Sequence, residues 1–243
     1  MTMIVTTTNT GWRVIHQQAH GLLAMQLALR WKPQNRPARW HETLAALLEH
    51  DDGQDAWEGR NHLTDAGAPL DFHELEYSVE QMKNMIRIGL EKSRWNALML
   101  SMHTTFLYTE KRGEDGALDE FLDQQKTNQT KWRKTYGATV AEARYAYDFL
   151  QWCDALSLVL CQDLLQIEER RLEVSKGPDK IPYFIYQRTD GSVGLDPWPF
   201  ATGEFTVHIE SYQLTQLAFT DDAELYNALN DADVAELSWT FRE

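Results

Sequence analysis

The sequence predicts a mainly α fold: a helical bundle with an N-terminal hairpin and a small antiparallel β elaboration from the C-terminal third. Three observations carry that expectation. Apolar residues recur at helical spacing over 16–31, over 40–51 and from residue 140 onward. Pro and Gly punctuate the stretches between them. Alternating, strand-like runs are confined to the two ends of the chain.

Residues 3–15 alternate β-formers with polar residues around Asn9, Thr10 and Gly11, the pattern of a hairpin. In the helix that follows, His20 shares a face with Leu23, Ala24 and Leu27 and is expected to point inward, and Pro33 closes the run. A Pro-rich crossing over 32–37 leads to a second helix over 40–51, with Gly53 at its expected C-terminal end. Residues 53–76 are polar and turn-rich and predict a long ordered loop. Further helices are expected over 78–91, 95–108 and 119–136. The most apolar one, over 140–170, carries Asp154 in its middle. Beyond Pro178 and Pro182, the runs IPYFIYQ, EFTVHIESYQL and AELSWTFR read as strands, with a short helix over 221–228. One domain over 1–243 is expected, with a helical core over 1–176 and a β elaboration over 177–243 packed on it.

Hydrophobic residues make up 43% of the 243, with nine each of Trp, Tyr and Phe, so a sizeable core can form. The net charge of -14 would repel a nucleic-acid backbone over most of the surface, which excludes nonspecific nucleic-acid binding. It leaves room for one small phosphorylated ligand, because a bound metal inverts the local field. Cys153 and Cys161 stand eight residues apart in one helical run, too far to bridge, which fits a reducing compartment. No leader pattern and no run of eighteen apolar residues occurs, so a soluble cytoplasmic protein without a membrane partner is expected.

A His-Asp dipeptide alone says little, since about 0.6 such pairs arise by chance in this composition. Its surroundings say more. An inward His occurs in QQAHGLLAMQLA, a His-Asp pair ends an apolar helix in AALLEHDDG, a His sits at the end of ALMLSMHTTFLY, and an Asp is embedded in LQWCDALSLVLC. An ionised carboxylate on an apolar helix needs a partner, and an acid at a helix C-terminus is unfavourable without a cation nearby. Imidazoles and carboxylates from separate helices suit a borderline divalent metal.

This order of residues resembles the HD superfamily of metal-dependent hydrolases. The resemblance implies that His20, His50, Asp51 and Asp154 hold a divalent ion of Fe, Mn, Co, Ni or Zn, with His73 and His103 as further ligands if a second ion is bound. It implies that Asp51 orients the attacking water, with Asp52 supporting it. HDDGQDAW, PLDF, SMHTTFLY, CDALSL and DPWPF also resemble a bacterial family of proteins of unknown function, numbered 3891. The expected function is metal-dependent hydrolysis of a small phosphoester or phosphoanhydride. The alternatives are a di-iron oxygenase, which would need both His73 and His103 at the metal, and a non-catalytic metal- or ligand-binding module.

Plainer readings compete at each position. His20 could be a satisfied core histidine, His103 a helix cap, His73 an exposed loop residue and Asp52 a solvated helix end. His16 and His41 fit surface or supporting positions, and His62 and His208 structural ones. Trp57, Trp198 and Phe200 fit packing roles. Arg13, Arg36, Arg39 and Arg60 are the cations that could meet a phosphate, each also explicable as a surface charge.

Overall fold

The hairpin forms where the alternation places it, with β1 (Met3–Thr8) paired antiparallel to β2 (Gly11–His16). Its partner beyond the turn is remote in sequence: β2 lies against β6 (Glu204–Leu214), from Trp12 opposite Leu214 to Val14 opposite Tyr212. Gly11 allows that approach. Its φ is 144°, and a Cβ there would lie 2.0 Å from the Leu214 carbonyl oxygen.

The computed structural model describes residues 2–52 and 57–243. Gly53, the expected helix terminator, lies outside the described residues. The helices are α1 (Gln17–Leu29), α2 (Trp40–Glu49), α3 (Val79–Lys92), α4 (Arg94–Tyr108), α5 (Gly116–Thr135), α6 (Val140–Cys161) and α7 (Asp222–Asn230). Side-chain caps explain several starts. Ser78, Ser93, Asp115 and Asp221 each accept a backbone N–H of the first turn, and Thr139 with Glu142 forms a reciprocal capping box. Ser93 both ends α3 and caps α4, so the chain turns between two helices that pack on each other.

The chain is not mainly α. It is 47% helical and carries a seven-stranded mixed sheet curved into a half-barrel. The other strands are β3 (Leu172–Lys176), β4 (Pro182–Gln187), β5 (Val193–Asp196) and β7 (Asp233–Arg242), and the order across the sheet is β1-β2-β6-β7-β5-β4-β3. Neighbours are antiparallel except β5 and β7, which meet in parallel at Val193 and Phe241. The hairpin and the C-terminal strands, expected as separate accessories, are one sheet. Strands pair across some 200 residues of chain here, and periodicity within a strand carries no information about its partner.

Two strands were hidden. β3 begins soon after α6, which was expected to continue to residue 170. The helix stops because Asp163 adopts a left-handed φ of 55°, and Leu164 N–H turns back to the Val159 carbonyl. β3 itself is mostly polar, and β5 spans only four residues.

The sheet is covered on both faces. Ile4, Ile15, Ile185, Val207, Ile209 and Phe241 join the main core, in which α1 packs on β6 and on α6. Met3, Val14 and Leu214 turn to the other face and bury Leu225 and Leu229 of α7 with Leu63 and Phe219. The aromatic residues of the DPWPF segment pack sheet against helices: Phe200 meets Trp31, Trp152, Phe205 and Phe241 edge-on or tilted. Among the described residues no helix is long and apolar enough to cross a membrane.

Candidate metal centre

Three helices bring polar side chains into an otherwise apolar interior. His20 comes from the first half of α1, and Asp154 from the middle of α6. His50 is the residue that closes α2, and Asp51 follows it. Because the helix ends there, consecutive side chains are released from the 100° step and both can turn to one point. His20, His50 and Asp154 are buried, and Asp51 is half-buried.

The two imidazole Nε2 atoms lie 3.0 Å apart, and Asp154 Oδ1 lies 3.2 Å from His20 Nε2 and 3.1 Å from His50 Nε2. Asp51 Oδ2 is 3.4 Å from His20 Nε2 and 3.6 Å from His50 Nε2. The remaining ring nitrogens are committed elsewhere. His50 Nδ1 donates to the Leu47 carbonyl at 2.7 Å, and His20 Nδ1 donates to the Gln17 carbonyl. A carbonyl only accepts, so each Nδ1 carries the hydrogen and each neutral ring presents a bare lone pair at Nε2.

Asp154 Oδ1 and Asp51 Oδ2 therefore each face the two bare lone pairs. Such an arrangement is repulsive unless a cation sits among these atoms, and His20, His50 and Asp154 form one group whose donor atoms lie within 4.8 Å of one another. Donors about 2.1 Å from a common ion are about 3.0 Å apart at a right angle and about 3.4 Å apart at the tetrahedral angle. The observed separations of 3.0 to 3.6 Å fit that spacing. Without a metal the cation is a proton on His50: burial works against it, but the Asp51 and Asp154 carboxylates prevail and push its pKa up to about 10. Asp154 is held well below the usual carboxylate range, since the neighbouring His50 and the hydrogen bonds to both imidazoles outweigh its burial.

His103, from α4, stands beside His50 with ring centroids 5.0 Å apart and planes nearly perpendicular. Burial and the positive charge on His50 lower its pKa to about 4, so it is uncharged at neutral pH. It forms a second group with His50 and Asp51, whose donor atoms lie within 4.8 Å of one another.

Other expected residues lie outside these groups. His73 lines the adjoining cavity but is exposed, tilted against Phe72 and bonded through Nδ1 to Asp71 at 2.9 Å, outside both groups of possible ligands. Asp52 sits in the field of Glu49 and Lys92; burial, then the charges of Glu49 and Asp51, raise its pKa. It does not line the cavity beside the centre. Arg13 pairs with Asp163, Arg36 lies over Trp40, Arg39 lies over Tyr136 and pairs with Glu42, and Arg60 donates to the carbonyls of Thr64 and Asp65. None of the four lines the cavity. His16 packs edge-on against Tyr212, while His41 and His208 are exposed. His62 is buried, stacked on Trp57 and bonded to Asp222 at 2.7 Å, tying its loop to the start of α7.

The cavity, about 500 Å³, opens from His50, Asp51, His103 and Asp154 towards residues of α3, α4 and the 72–78 segment. Sequence reasoning passed over several of its determinants. Gln17 donates to Asp51 Oδ2 at 2.9 Å and so fixes the carboxylate beside His20. Tyr77, Tyr108 and Lys111 line the wall. Gly21 matters through absence of a side chain: a Cβ there would lie 2.6 Å from the Leu48 carbonyl oxygen, so α1 can approach α2 closely only at glycine. The dipeptide His20-Gly21 was the available signal, since glycine inside a helix has a packing cause. Gly21→Ala is expected to push the helices apart and weaken metal binding by about 10- to 100-fold, the range for residues that position ligands. Isothermal titration with Mn or Zn measures it, and unchanged affinity would refute the role of this close approach.

Comparison with curated proteins and with solved structures returned no match. A family model described as "Protein of unknown function (DUF3891)" matches residues 3–216, which include every residue of the centre. The chain belongs to that family.

Proposed function

We propose that the centre holds one divalent transition metal and that the protein hydrolyses a small phosphorylated substrate in the adjoining cavity, with an HD-type set of ligands. The observation that carries this reading is the convergence of acceptor atoms from His20, His50 and Asp154 at metal-ligand spacing, with Asp51 Oδ2 3.4 and 3.6 Å from the two imidazoles, beside a cavity that His50, Asp51 and Asp154 line. Their order along the chain is the order that the HD resemblance implies.

A divalent ion bound there would lower the pKa of a coordinated water and polarise a phosphoryl oxygen. The chain's own residues supply the rest. His20, His50 and Asp154 are fixed by burial, and the two histidines also by backbone carbonyls, so they would hold the ion without reorganising. Asp51, oriented by Gln17 and facing the cavity, is placed to accept a proton from the attacking water. His103, uncharged and lining the same cavity, can donate a ring N–H to a substrate oxygen. The dinuclear oxygenase reading finds less support, because it needs His73 as a ligand and His73 lies outside both groups of possible ligands.

Protein purified without chelator is expected to contain about one divalent ion per chain. It should hydrolyse p-nitrophenyl phosphate, lose that activity on chelation and regain it with Mn, Co or Zn. Absence of bound metal in every preparation would sink the reading, and bound iron with oxygen consumption would replace it by the oxygenase.

A further inference from the structure

We infer that the cavity selects a compound bearing a single phosphoryl group on an apolar, ring-sized body, and rejects polyphosphates. This rests on the hydrolase reading above and names its substrate class.

Charge sets the first limit. The carboxylates of Asp51, Glu76 and Asp154 line the cavity, and Lys111 is the one Lys or Arg that does so among the described residues. Counted by sign, the two charges of a divalent ion equal those of Asp51 and Asp154, and the one charge of Lys111 equals that of Glu76. One phosphoryl group can be met by the ion and by neutral donors such as His103. A pyrophosphate or triphosphate brings several more negative charges, and sites for those groups supply a cluster of Lys and Arg that this cavity lacks.

Shape sets the second limit. At about 500 Å³ the cavity is far larger than a bare phosphate requires and lies within the range of organic-ligand pockets. The wall beyond the centre is aromatic and thioether in character. Tyr108 begins it, lining the cavity together with Asp51 and His103. Tyr77 packs on Tyr108 with centroids 5.7 Å apart, and Lys111 Nζ lies 4.8 Å from the Tyr77 centroid. Met82 and Met85 of α3 line the same cavity with side chains that adapt to an apolar guest. A flat apolar group attached to the phosphoryl oxygen would bury itself against this surface, whereas a second phosphoryl group there would lose its water without gaining a cation.

The probes are phenylphosphonate, methylphosphonate and pyrophosphate, titrated calorimetrically into the full chain loaded with one equivalent of Mn. Phenylphosphonate is expected to bind at least about tenfold more tightly than methylphosphonate, through burial of the ring, and pyrophosphate no more tightly than methylphosphonate. Tyr77→Ala should narrow the phenyl-to-methyl ratio and Tyr77→Phe should keep it. Equal affinity for the two phosphonates, pyrophosphate binding as tight as phenylphosphonate, or no phosphonate binding at all would overturn the inference. A phosphonate is not hydrolysed, so its selectivity is read independently of turnover. Selective binding by a chain that cleaves no phosphate ester defeats the hydrolase reading alone, and preferential cleavage of pyrophosphate defeats the substrate class alone.

Discussion

Asp154→Ala is expected to reduce metal affinity by more than about 100-fold, beyond the 10- to 100-fold typical of residues that only support a ligand, and to remove hydrolytic activity with it. Asp154 is the contact shared by both imidazoles, at 3.2 and 3.1 Å, and it comes from the most buried helix of the fold. Without it, His20 and His50 retain their carbonyl anchors but the ion loses the charge that neutralises it. The helices should remain, because α6 is held by Phe149, Leu150, Trp152, Leu156 and Leu160, all fully buried. Asp154→Asn keeps the shape and removes the charge, so it separates ligation from packing. The readouts are metal content by emission spectrometry, turnover of p-nitrophenyl phosphate, and far-ultraviolet circular dichroism. A folded variant that still carries stoichiometric metal would disprove the assignment of Asp154.

The stability of metal-free protein should fall as pH rises through the alkaline range, and bound metal should abolish that fall. The folded pKa of His50, about 10, lies above its ordinary value of 6.5. Its contribution is therefore complete below about pH 6.5 and is lost progressively as pH rises to about 10. Two groups act on the acid side. Asp154, held well below 3.8, contributes fully above that value and loses its contribution as pH falls through its folded pKa. His103, lowered to about 4, stays neutral in the fold while an unfolded chain would protonate it, so stability also declines between 6.5 and 4. The metal-free protein should thus be most stable near neutrality. Metal replaces the proton on His50, which removes the alkaline decline and makes binding weaken on acidification. Thermal midpoints across this range, with chelator and with Mn, test the scheme. His50→Gln should flatten the alkaline limb, and an unchanged slope in that variant would assign the limb to another group.

The clustering of these side chains was legible in the sequence because they break a local rule. A carboxylate in LQWCDALSLVLC and a histidine on the apolar face of QQAHGLLAMQLA are costly to bury unless they meet a partner, and the structure brings those two side chains together with His50 and Asp51. His73 and Asp52 satisfied residue type and order but not position. His73 lines the same cavity but stays outside both groups of possible ligands, and Asp52 does not line the cavity that Asp51 lines. The determinants that went unseen act by placement. Gly21 works through what it lacks, Gln17 through one hydrogen bond across 34 residues, and Tyr77, Tyr108 and Lys111 through a wall assembled from separate segments.

By itself the sequence determined the helices of the core, the hairpin and which polar residues had to find partners in the interior, because periodicity, caps and the cost of burial are local properties. Only the tertiary structure decided that the two ends of the chain form one seven-stranded sheet, that α1 and α2 approach closely at Gly21, and which histidines reach the carboxylates. The reason is the same in each case. Strand partners, helix crossings and cavity walls are contacts between residues far apart in the chain, and no residue announces its distant neighbour by its own type.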